Sequence, residues 1–147
     1  MEAMIRPLES GNEFLEVEIM IDSGTAVEAV LIESSEQAPQ QARSWVADVF
    51  ASRRLGDDYT ARTVITELVT NAYRHTDTKA IPVRLVLENG YFVVEVEDRS
   101  DVAPVLHGED GTAESGRGLL MVALLADDWG VRELDGGGKV TWARLHG

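Results

Sequence analysis

From residue 83 to residue 96 apolar side chains recur at every second position on both sides of Asn89-Gly90, and that pattern admits little besides a β-hairpin. Val83, Leu85 and Leu87 come first and Phe92, Val94 and Val96 return. Asn-Gly is the preferred pair for a type I′ turn. A hairpin with one apolar face needs a second layer to cover it. Two helical stripes supply one. Ala42, Trp45, Val46, Val49 and Phe50 recur at helical spacing, with Pro39 near the start, Arg53 and Arg54 in the last turn and Gly56 suited to the C′ position. Ala61, Ile65, Leu68, Val69 and Ala72 form the second stripe, opened by Asp57 and Asp58 and ending near His75 or Thr76.

The remaining segments fill in the same picture. Stretches 14–21 and 26–32 are rich in apolar residues and read as strands around a Ser23-Gly24 turn. Residues 98–115 lack periodicity and contain Pro104 and two glycines. Loops that long in compact domains are functional lids or disordered segments. Residues 116–126 read as a buried helix, and 129–134 and 139–145 as closing strands joined by Gly136-Gly137-Gly138. The expected fold is α+β: a two-layer sandwich with a mostly antiparallel mixed sheet and helices on one face. Residues 1–34 are expected to form an N-terminal strand extension ahead of a domain over 35–147.

Bulk properties narrow the function classes. A chain of 147 residues fits one domain, and 44% hydrophobic content argues against disorder. The absence of cysteine removes disulfides, thiolate metal sites and thiol nucleophiles. A formal net charge of −13 disfavours direct nucleic-acid binding, and a nucleotide site would have to rely on local donors and a metal. No secretory signal and no apolar run of about 20 residues is visible, so a membrane span is not expected and a cytoplasmic location is.

Three short elements carry candidate chemistry. Glu67, Asn71 and His75 are spaced by four and share an arc of about 80° on the second helix. An amide oxygen can coordinate Mg²⁺ and a carboxylate one turn away can act as a general base, although the flank of any amphipathic helix can look the same. Asp98 ends the hairpin's return strand, where a carboxylate can accept from an exocyclic amino group or simply open a turn. Gly116, Arg117 and Gly118 sit at an expected helix start. Glycines there let backbone N–H groups approach phosphate, but a hinge would need them equally.

In this order the three elements resemble those of the GHKL ATPase/kinase superfamily. Residues 67–75, Glu-Leu-Val-Thr-Asn-Ala-Tyr-Arg-His, resemble its N box; 94–100, Val-Glu-Val-Glu-Asp-Arg-Ser, its G1 box; and 115–119, Ser-Gly-Arg-Gly-Leu, its G2 box. The tail, Trp-Gly-Val at 129–131 and Gly-Lys-Val-Thr-Trp at 138–142, is most similar to the anti-sigma factor serine kinase branch. The resemblance implies a Bergerat-type α/β sandwich that binds ATP and Mg²⁺. Glu67 would be the general base and Asn71 the Mg²⁺ ligand, and Asp98 would hold the adenine amino group with help from Thr141. Gly116, Arg117 and Gly118 would line the phosphates beneath a lid over 99–114, and His75 would cap its helix. It implies an ATP-dependent protein serine/threonine kinase whose partners are a sigma factor and a STAS-type anti-anti-sigma protein. Separately, the strand pattern of the N-terminal extension could supply an edge for a homodimer or just complete the sheet.

Two departures favour nucleotide binding over phosphoryl transfer. Ser100 stands where the family's G1 box has glycine, and Glu114 stands where many members carry a basic residue. A non-catalytic nucleotide-binding or protein-interaction regulator is therefore the alternative. A detached histidine-kinase ATPase domain fits less well, because no dimerisation helix pair with a phospho-acceptor histidine is present.

Overall fold

The computed structural model describes the backbone over residues 2–7, 15–22, 25–75, 77–88, 90–99 and 113–146, and side-chain burial over 25–74, 77–88, 90–99 and 118–146. Seven strands and three helices lie in these residues: β1 (Glu2–Pro7), β2 (Leu15–Asp22), β3 (Thr25–Glu33), α1 (Ala38–Arg53), α2 (Tyr59–His75), β4 (Ala80–Glu88), β5 (Tyr91–Asp98), α3 (Ala113–Leu125), β6 (Asp128–Glu133) and β7 (Lys139–His146). The strands form one sheet in the order β1-β2-β3-β4-β5-β7-β6. All six strand pairs are antiparallel, so the expected α+β sandwich holds and the described sheet has no parallel pair.

The hairpin forms as its alternation predicts. Ile81, Val83, Leu85 and Leu87 of β4 and Phe92, Val94 and Val96 of β5 are buried, while the intervening residues are half-buried. Gly90 adopts φ of 88°, as the turn requires; Asn89 lies outside the described residues. Burying such a side chain stabilises the fold by about 1.5–3 kcal/mol. The opposing layer is α1 and α2, which contribute Ala42, Trp45, Val46, Val49 and Phe50, and Ala61, Val64, Ile65, Leu68, Val69 and Ala72, to the same core. The Phe50 and Phe92 rings meet across the layers at 5.1 Å.

Local chemistry sets the helix ends. The Ser35 carbonyl accepts from the Ala38 N–H at 3.0 Å and the Ser35 hydroxyl from the Gln37 N–H at 3.2 Å, which guides the chain into α1 with Pro39 in its first turn. At the other end the C-cap is Arg54, left-handed at φ of 56°, and Gly56 two residues on also has a positive φ, of 93°. The Leu55 N–H donates to the Phe50 carbonyl at 2.9 Å, a six-to-one closure that forces the residue before it into that conformation. Asp57 and Asp58 open α2 as expected: Asp57 Oδ1 accepts from the Tyr59 N–H at 2.8 Å, and the Asp58 carbonyl from the Arg62 N–H at 2.8 Å.

Two elements differ from expectation. β1 pairs with β2, although nothing in its six residues separates it from a polar terminus. α3 begins at Ala113, three residues before the expected start at Gly116, so Gly116 and Gly118 lie deeper inside the helix than expected. Ala113 and Glu114 are ordinary helix formers and extend the helix backwards. The expected lid falls almost wholly on residues 100–112, outside the described residues, as do Ser100 and the Ser23-Gly24 turn.

Candidate functional site

The functional side chains lie between the two layers. α2 packs on β4, β5 and β7, and α3 packs on α2 and β6. Glu67 and Asn71 lie one turn apart on α2, both half-buried at the border of its apolar stripe. Three threonines keep the adjoining face of that helix internally satisfied. Thr63, Thr66 and Thr70 each donate to the carbonyl four residues earlier, at 2.9, 2.6 and 2.6 Å.

Glu67 meets α3 at Gly118. A Cβ placed on Gly118 would lie 2.5 Å from Glu67 Oε2, so the buried glycine makes room for the carboxylate. Burial pushes the Glu67 carboxyl above its ordinary pKa, and the Arg74 guanidinium pulls it part of the way back. A carboxylate with raised proton affinity is better suited to take up a proton than an exposed one. The structure thus brings together Glu67 of the first element and Gly118 of the third. Gly116 and Arg117 belong to α3, but their side-chain surroundings, like those of His75, lie outside the described residues.

A second polar cluster sits at the end of β5. Among the described residues five polar or charged ones are buried: Glu28, Thr78, Asp98, Lys139 and Thr141. Glu28 is bound to Arg53 at 2.8 Å on the other side of the core. The other four gather at one end of the sheet. The Asp98 carboxylate accepts from Lys139 Nζ at 3.0 Å, with only 7% and 8% of the two side chains exposed. The Thr78 hydroxyl accepts from the Arg99 N–H at 2.8 Å. Buried charge in an otherwise apolar layer marks a site more often than a stabilising contact, because such a pair does little for stability compared with apolar packing.

The β5–β7 register fixes the order within this cluster. Asp98 stands opposite Lys139, and Val96 opposite Thr141. Asp98, Lys139 and Thr141 therefore share the helix-facing side of the sheet, with Lys139 as the direct partner of Asp98 and Thr141 one pair further in. Gly138 makes the turn possible. Its φ is +90°, and a Cβ there would lie 2.6 Å from the Asp98 carbonyl oxygen. Lys139, Thr78 and Gly138 escaped sequence reasoning. The alternation of Lys139 with Thr141 was the only available signal, and it identifies no partner without the register.

Two clefts open beside these groups. One of about 580 Å³ lies where Thr70, Tyr73 and Arg74 of α2 face Glu36 and Pro39. The other, of about 550 Å³, runs from Asp98, Arg99 and Thr78 to Leu31 and Pro82. Neither joins Glu67 to Asp98. Among the described residues no cluster of three or more acidic or histidine side chains could hold a metal, and no helix is long and apolar enough to cross a membrane.

No curated protein matches the chain. A family model described as the histidine kinase-like ATPase domain matches residues 32–145, a span that takes in α1, α2, both polar clusters and the closing strands. A half-buried carboxylate seated on a helical glycine and a buried carboxylate at a strand end accord with that match, and the chain belongs to the histidine kinase-like ATPase domain family.

Proposed function

We propose that this protein binds ATP with Mg²⁺ between α2, α3 and the β5–β7 end of the sheet, and serves as an anti-sigma regulatory factor able to phosphorylate a serine of an anti-anti-sigma antagonist. The observation that carries the reading is Glu67: a carboxylate with raised proton affinity, seated against Gly118 in the same layer as buried Asp98. The residues fit the nucleotide. Asp98 offers an ionisable acceptor for an exocyclic amino group. Gly118 lets the Glu67 carboxylate approach α3 closely, because a Cβ there would lie 2.5 Å from Glu67 Oε2.

In this reading ATP supplies the phosphoryl group and Mg²⁺ offsets its charge when both are bound. Asn71 offers a neutral oxygen to the metal, suited to an ion that takes few protein ligands. Gly116 and Arg117 lie within α3, three and four residues after its start at Ala113, and it is the N-terminal end of that helix that favours anions. Glu67 takes the proton of the attacking serine hydroxyl, and its raised affinity holds that proton better than an exposed carboxylate would. Thr141 supports Asp98 from one pair further along β7. A net charge of −13 favours a partner that presents a basic face, and in this reading that partner is a sigma factor met in the cytoplasm.

Calorimetry with ATP and Mg²⁺, followed by phosphoryl transfer from labelled ATP to a STAS-domain protein of the same genome, tests the reading. Micromolar ATP binding by the wild type is expected, with binding retained and transfer lost in Glu67→Ala. Failure to bind ATP would reject the nucleotide site. Binding with no transfer above that of Glu67→Ala would instead support an interaction module without kinase activity, the reading that Ser100 and Glu114 favour.

A further inference from the structure

We infer that Lys139 reads the nucleobase directly, donating to adenine N1 while Asp98 accepts from the neighbouring amino group. The inference rests on the ATP reading above and deepens it by adding a specificity residue. Its basis is the register: the residue opposite Asp98 is Lys139, and the two side chains are joined at 3.0 Å while almost completely buried.

An ammonium buried in the helix-facing layer is costly unless it is paired. Pairing alone does not account for a lysine at this place, because a neutral donor such as Thr141 could sit opposite Asp98 with no charge to desolvate. Lysine adds a second capability. An ammonium has three N–H donors and a carboxylate several acceptor positions, so the pair can hold each other and engage a third group together. Such a pair can offer an acceptor and a donor to one edge of a ligand. Adenine presents the complement along one edge: an amino donor next to the N1 acceptor. The corner is also rigid. Gly138, at positive φ with its Cα against the Asp98 carbonyl, sets where β7 begins and so where Lys139 stands.

The test is a cycle between one side chain and one ligand atom. Binding of ATP and of 1-deaza-ATP, which lacks the N1 acceptor, is measured by calorimetry for the wild type and for Lys139→Met. The wild type is expected to bind ATP at least about ten-fold more tightly than 1-deaza-ATP, the size expected when an ion-assisted hydrogen bond is lost. Lys139→Met is expected to bind both ligands equally within about two-fold. A lysine that only supports the fold would weaken both ligands alike and leave their ratio unchanged, and that outcome overturns the inference. Equal binding of the two ligands by the wild type overturns it as well, without any variant. Should Lys139→Met unfold because Asp98 is left buried without its cation, Asp98→Asn/Lys139→Met removes both charges and carries the same ratio test. Absence of ATP binding by the wild type would reject the nucleotide reading itself, and is distinguishable from an unchanged ratio.

Discussion

The closeness of Gly118 to Glu67 predicts a separation of stability from the proposed activity. The added methyl of Gly118→Ala would meet the far end of a flexible side chain, so Glu67 can swing aside. Alanine also gains up to about 1 kcal/mol over glycine inside a helix. The expected outcome is an unchanged or higher melting temperature with a phosphoryl-transfer rate reduced at least about ten-fold, measured by thermal unfolding and single turnover. The titration of Glu67 gives a second prediction. Its folded-state pKa lies above its ordinary value because burial disfavours the charge. That contribution to stability is present in full below the ordinary carboxylate value and is lost as pH rises through the raised one. Glu67→Gln should therefore be more stable than the wild type at neutral pH, and the advantage should vanish in acid. Chemical denaturation at several pH values would show this, and a pH-independent difference would remove the desolvation account.

At the scale of elements, what could be read from the sequence followed periodicity. The β4–β5 hairpin and helices α1 and α2 were legible because each repeats its apolar pattern over several turns or pleats, and Asp57 and Asp58 marked a helix start for an electrostatic reason. β1 has six residues and little to repeat. The start of α3 was misplaced because its glycines looked like a boundary, whereas a helix supported by packing on α2 tolerates them. Glu67, Asn71 and Asp98 were legible as types at the right spacing. Lys139 was not, since strand register is set by pairing with β5 and is invisible within β7 alone. The turn before β7 carries its own prediction. Gly138→Ala places a methyl 2.6 Å from a backbone carbonyl at φ of +90°, where neither neighbour can yield easily. A loss of about 1–3 kcal/mol is expected from denaturant midpoints, against almost none for Gly136→Ala corrected for its own positive φ, because nothing lies within 4 Å there.

The whole molecule is a single sheet whose helices cover one face, and its two ends differ. β6 closes one edge beside the candidate site, whereas β1 forms the other, far from it in strand order. An unpaired edge strand is a template for another strand. If the chain forms the proposed homodimer, a contact at the β1 edge would leave the β5–β7 corner accessible. Light scattering coupled to size exclusion should give about twice the chain mass of 16.1 kDa, and a monomer mass at micromolar concentration would remove that expectation.

The ion pair at the end of β5 is made between two buried side chains of the protein itself. A corner ordered in advance owes little entropy at the moment of capture, so changes made there should be felt mainly after the encounter. Weakened variants at Asp98 or Lys139 would take up nucleotide at close to the normal speed and release it sooner. Residence time, rather than the rate of arrival, is the quantity this part of the molecule controls.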